Sequence, residues 1–206
     1  MPLVRGSAEE VVALRPDLVV AGETGAREAV AIARRLGMAT LVLPNADSLE
    51  AIHVQIGLVA SALGREERGA ELQTAFDRRL AAVPLPAVPL PVAAVYEPNG
   101  FTAGPGSLPD AVLARAGLAN YARQQRITGT GAIPLELLVA HRPALLITDV
   151  QHAAPSLAEA MLWHPVLHDA FESRRVEIPA SAWICGSPST LDALERLVRA
   201  RLALPP

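Results

Sequence analysis

The chain has 206 residues, a formal net charge of -3 and 51% hydrophobic residues, enough apolar mass for one large domain or two small ones. That charge leaves no electrostatic footprint for nucleic acid, and no apolar run approaches the roughly 20 residues a helix needs to cross a bilayer. All 18 basic residues are arginine, which excludes a P-loop lysine and Schiff-base chemistry, and the single cysteine, Cys185, excludes an internal disulfide or a multi-cysteine metal site.

Taken as given, Met1 to Ser7 lacks the apolar core of a signal peptide and predicts a cytoplasmic chain. Ser7 with Glu9 and Glu10 predicts a short helix ending before Pro16, and Asp17 to Ala21 a buried strand. A loop at Gly22 to Gly25, a helix over Arg27 to Leu36 stopped by Gly37, and a strand over Thr40 to Leu43 complete a parallel, right-handed β-α-β unit. Asp47 and Ser48 cap the next helix, whose buried stripe is Leu49, Ile52, Ile56, Val59 and Leu63. Gly64 ends or bends it, and Arg65 to Val83 forms a long helix of roughly 28 Å, enough to bridge two lobes. Four prolines between Pro84 and Pro91 make an extended, stiff linker.

The second half opens with a strand over Val92 to Tyr96 and a glycine- and proline-rich loop over Glu97 to Gly106. Helices over Asp110 to Ala116 and Leu135 to His141, and a strand over Leu145 to Thr148, come next. A helical stretch over Ser156 to Met161, a strand over Arg175 to Ile178 and a helix over Leu191 to Leu202 close the chain. The segment Glu136 to Ile147, E-L-L-V-A-H-R-P-A-L-L-I, repeats the pattern of Glu9 to Val20, E-E-V-V-A-L-R-P-D-L-V-V: helix, proline stop, buried strand. Two similar α/β halves predict two lobes, each with a parallel sheet. The expected boundaries are an incomplete N-terminal lobe over 1–64, the bridging helix over 65–83, the linker over 84–91 and a C-terminal lobe over 92–206.

Ligands of open parallel sheets bind beyond the carboxyl ends of the strands, which directs attention to the loops Gly22 to Arg27, Pro44 to Asp47, Glu97 to Gly106, Asp149 to Pro155 and Pro179 to Pro188. Aromatics are 3% of the chain, yet Tyr96, Phe101 and Trp183 all fall on such loops, as ligand-facing rings or as cover for the sheet. Among carboxylates there, Glu23 and Glu97 stand out. His164 and His168 have a metal-like spacing, but Pro165 between them marks a capped helix start, and His152 after a strand end is the better functional candidate. No G-x-S-x-G elbow occurs and the glycine pairs do not continue as G-x-G-x-x-G, which disfavours a Rossmann cofactor enzyme; no cofactor is expected.

In order, A-E-E-V-V-A-L-R-P-D-L-V-V-A (Ala8 to Ala21), R-R-L-G-M-A-T-L-V-L-P (Arg34 to Pro44), L-G-R-E-E-R-G-A-E-L (Leu63 to Leu72), N-G-F-T-A-G (Asn99 to Gly104), L-A-R-A-G-L-A-N (Leu113 to Asn120) and P-L-E-L-L-V-A-H-R-P-A-L-L-I (Pro134 to Ile147) make a series. It resembles the ferric-siderophore and cobalamin periplasmic binding proteins of ABC importers. The resemblance implies two Rossmann-like lobes joined by one long helix, and a non-catalytic, monomeric, periplasmic protein that holds a bulky metal chelate and delivers it to an ABC permease. It implies chelate contacts from Glu23, Tyr96, Asn99, Phe101, Arg126 and Trp183, no protein-bound metal, and permease docking through Glu28. Relatives carry an export segment and a further strand-helix section before the stretch that matches Ala8, so a fragment is expected. A two-lobe enzyme acting on a tetrapyrrole or sugar nucleotide is the alternative.

Overall fold

The computed structural model describes residues 7–85, 88–150, 156–184 and 186–205. The chain divides into two compact units: one comprises the residues through Ala46 together with His53–Thr74, the other Asp47–Ile52 and everything from Ala75.

The first unit opens with α1 (Ala8–Leu14), where Ser7 accepts from the Glu10 N–H and the Glu10 carboxylate accepts from the Ser7 N–H, a complete capping box. Arg15 ends α1 in the left-handed region, with φ 43°, immediately before Pro16. β1 (Leu18–Gly22), α2 (Arg27–Arg35) and β2 (Ala39–Leu43) follow, with β1 and β2 paired in parallel, Leu18 opposite Ala39. Ala29, Val30 and Ala33 form the buried stripe of α2. Both strands lie in a two-stranded sheet, and Val20 is 49% exposed.

α3 (Leu49–Ala62) and α4 (Glu66–Ala82) each contribute to both units, because the division falls after Ile52 in one and after Thr74 in the other. Ser48 Oγ caps α3 by accepting from the Ala51 N–H. Leu63, expected in the buried stripe, is 56% exposed: α3 ends one residue earlier and Gly64, at φ 60°, turns the chain away. Gly69 lets α3 and α4 approach closely, since a Cβ there would collide with Ala60.

The second unit holds a four-stranded parallel sheet, ordered β5 (Ala119–Asn120), β3 (Val92–Val95), β7 (Leu145–Thr148), β8 (Arg175–Glu177). β7 is buried along its whole length, as an apolar strand with neighbours on both edges should be. α7 (Leu135–His141), which feeds β7, ends at Arg142 with φ 44° before Pro143, so the repeated sequence folds as a repeated corner. α5 (Leu108–Ala116) and α10 (Thr190–Leu202) pack on one another. Leu191, Leu194, Leu197 and Val198 are buried on α10, each contributing about 1.5–3 kcal/mol of transfer free energy. A second cluster gathers Tyr96, Tyr121, Ile133, Leu138, Leu146 and Phe171, the last from α9 (Pro165–Phe171), which follows the short α8 (Leu157–Ala160). The part of α4 from Ala75 to Ala82 belongs to this unit: Arg79 pairs with Asp192 at 2.6 Å and Glu195 at 2.9 Å, and Arg115 donates to the carbonyls of Leu80, Val83 and Pro84 at its C-terminal end.

The fold is thus α/β with mostly parallel sheets and one long helix, as expected. The sequence analysis had no place for a short antiparallel ribbon of β4 (Phe101–Ala103) and β6 (Thr130–Ala132), nor for α6 (Tyr121–Gln124) between β5 and β6.

Candidate ligand-binding loops at the strand ends

In the first unit the loop after β1 carries Glu23, and Glu28 stands in the first turn of α2. Both are exposed. Gly25 and Ala26 take positive φ to turn the chain into α2, and Thr24 Oγ1 donates to Asn45 Oδ1 of the loop after β2, tying the two strand-end loops together.

In the second unit the loop after β3 folds back as the ribbon. Phe101 pairs with Ala132 and Ala103 with Thr130, while the Ile133 N–H donates to Gly100 O at 2.9 Å and the Gly104 N–H to Gly129 O at 2.6 Å. The backbone needs glycine in two places: a Cβ at Gly104 would lie 2.5 Å from Ile127 O, and one at Gly131 would lie 2.5 Å from Ile127 Cγ2. Asn120 pins the ribbon from below, its Nδ2 donating to Ala103 O and to Asp110 Oδ1, and Ser107 Oγ donates to Gly104 O. On this support Asn99, at φ 60°, and Phe101, 47% exposed, face solvent. Arg126, also exposed and at φ 57°, lies on the chain that leads into β6.

Tyr96 and Trp183 differ from the expectation of ligand-facing rings, for each is buried, at 0% and 3% exposure. The Tyr96 N–H donates to Ile147 O, so Tyr96 continues the line of β3, and its ring packs under the Gly100 turn. Among the described residues neither Tyr96 Oη nor Trp183 Nε1 has a hydrogen-bond partner, and burial, with the charge of Glu136, pushes the Tyr96 hydroxyl above its ordinary pKa. Glu97 stood out in the sequence, but sequence reasoning missed its coupling to Asp149. Burial, then the charge of Asp149, push the Glu97 carboxyl up, against a smaller opposing effect of the Trp183 indole N–H, which lies near it without completing a hydrogen bond.

His164 accepts from the Val166 N–H as the cap of α9, the role its position before Pro165 predicted. Tyr121 Oη lies 2.7 Å from His141 Nδ1 and 3.3 Å from Leu137 O, a hydroxyl placed between a ring nitrogen and a carbonyl. His152 and Cys185 lie outside the described residues. Among the described residues no three His, Cys, Asp or Glu side chains gather as a metal site, and no helix is long and apolar enough to cross a membrane.

The fold is of the α/β class, and an open parallel sheet carries its ligand sites at strand-end loops, which here hold exposed aromatic and polar groups. The chain belongs to the periplasmic binding protein family, whose model matches residues 5–176. Its fold is similar to that of the periplasmic heme-binding protein RhuT from Roseiflexus sp. RS-1, in apo form: 25% identity, TM-score 0.78, 95% of this chain and 80% of that one covered. It is also similar to an ABC-type Fe3+-hydroxamate transport system protein from Saccharomonospora viridis, at 23% identity and TM-score 0.73, with 97% and 72% covered. The vitamin B12 binding protein BtuF of Vibrio cholerae matches at 18% identity and TM-score 0.62, with 94% and 77% covered. No curated protein sequence matches the chain. The family and these neighbours are solute-binding proteins, not enzymes, which sets aside the enzymatic alternative.

Proposed function

We propose that this chain is the substrate-binding component of an ABC importer, working in the periplasm as a monomer and capturing a bulky metal chelate, a ferric siderophore, heme or cobalamin, for delivery to the permease. The observation that carries the reading is the buttressed ribbon that offers Phe101 and Asn99 at the strand ends of a periplasmic binding protein fold. An exposed aromatic on a rigid backbone loses little freedom on stacking against a large planar or macrocyclic face. Asn99, Arg126 and Glu23 supply polar contacts. Tyr96 and Trp183, being buried, act beneath the loops as support. Glu28, exposed in the first turn of α2, docks to cationic groups of the permease. The domain assignment of 1–64, 65–83, 84–91 and 92–206, with α4 as the bridge, is part of the same proposal.

Titration with hemin, a ferric hydroxamate siderophore and cyanocobalamin, followed by tryptophan fluorescence, tests this reading. Saturable quenching by at least one of them is expected; no saturable change with any of the three contradicts it.

A further inference from the structure

Glu97, Asp149 and Trp183 each stand on a loop that leaves the carboxyl edge of the sheet in the second unit, after β3, β7 and β8. β3 and β7 run in register, Val95 opposite Ile147, so Glu97 and Asp149 stand two residues further along on neighbouring strand ends. Asp149 Oδ1 accepts from the N–H groups of Val150, at 2.8 Å, and Ala180, at 3.0 Å. Ala180 begins the single helical turn Ala180–Ala182 that delivers Trp183. The indole is buried, its N–H has no hydrogen-bond partner among the described residues, and the polar group it acts on is the Glu97 carboxyl. Among the described residues, Asp149 is the charged group that faces Glu97, and the Trp183 N–H is the facing dipole. The Glu97 N–H donates to Phe101 O at 2.8 Å, so Glu97 also anchors the turn that carries Phe101.

We propose that Glu97, Asp149 and Trp183 form a proton-operated latch joining these three loops. When Glu97 is protonated its O–H donates to an oxygen of Asp149, one proton serves two carboxyls, and the strand-end loops draw together. When Glu97 loses that proton to solvent, two like charges share a poorly hydrated space and push the loops apart, and the Trp183 N–H compensates part of the repulsion. The raised pKa of Glu97, from an ordinary 4.5, brings the change toward physiological pH.

The chain has two tryptophans, so a Trp163→Phe protein reports Trp183 alone. Its emission, without ligand, is followed between about pH 4 and pH 8. One reversible transition is expected, with a midpoint above 4.5. Adding Glu97→Gln removes it, and adding Asp149→Asn, which keeps the acceptor oxygen but not the charge, moves the midpoint down. Flat emission in the Trp163→Phe protein, or the same transition in the Glu97→Gln variant, overturns the proposal. Should Glu97→Gln fail to fold, Asp149→Asn decides alone, an unshifted midpoint overturning the latch. No ligand takes part, so the outcome is independent of what the loops bind.

Discussion

Tyr96 carries a buried hydroxyl with no hydrogen-bond partner among the described residues, while its ring fills the core beneath Gly100. Tyr96→Phe keeps the ring and removes the unsatisfied group, so unfolding experiments are expected to find it neutral or stabilising by up to about 1 kcal/mol; a marked loss would mean that the hydroxyl has a partner. Glu97 gives a pH-dependent counterpart. Its folded pKa lies above the ordinary 4.5, so the folded state takes up its proton before the unfolded chain does. Stability from this group is therefore full below 4.5 and is lost as pH rises through the raised value. Glu97→Gln, always neutral, should melt above the parent protein at neutral pH, with the difference shrinking on acidification; a difference that grows toward acid would contradict this. Scarce aromatics on loops drew attention to Tyr96 and Trp183, and the place was legible where the orientation was not. Tyr96 precedes the proline at which the chain leaves the sheet, so it still obeys the strand's alternation, and Trp183 is folded inward by a turn with no sequence signature. Phe101, past that proline and the positive-φ residues Asn99 and Gly100, points out.

At the level of elements, the repeated corner was readable because its physics is local. A helix halted by X-Pro before an apolar run is built from neighbouring residues, and both copies end on a left-handed arginine. The ribbon was not readable, since Phe101–Ala103 and Thr130–Ala132 are too short and glycine-rich to carry a strand pattern and meet only in three dimensions. Gly131→Ala forces a Cβ onto Ile127 and should destabilise the unit by roughly 1–3 kcal/mol, measured by chemical denaturation. A wild-type midpoint would mean that the ribbon gives way freely. At the far end of α4, Arg115→Ala strips three carbonyls of their donor. Hydrogen exchange over residues 80–85 should quicken about tenfold or more, the equivalent of about 1.4 kcal/mol of local opening. Unchanged exchange there would show that Arg79 and the burial of Phe76 and Val83 hold the helix end unaided.

The molecule as a whole follows from two α/β units, a sheet edge lined with loops, and a family that binds solutes. What a sequence of this kind states openly is the alternation of helix and strand; what it withholds is which loop residues end up outside, because that depends on glycine turns and long-range pins such as Asn120. The central claim, that exposed Phe101 and its neighbours hold a bulky metal chelate, is tested most directly by calorimetric titration of the parent protein and Phe101→Ala with hemin, a ferric hydroxamate siderophore and cyanocobalamin. The account predicts 1:1 binding of at least one, micromolar or tighter, weakened about tenfold or more by Phe101→Ala. Absence of binding by all three, or an affinity indifferent to Phe101→Ala, would contradict it.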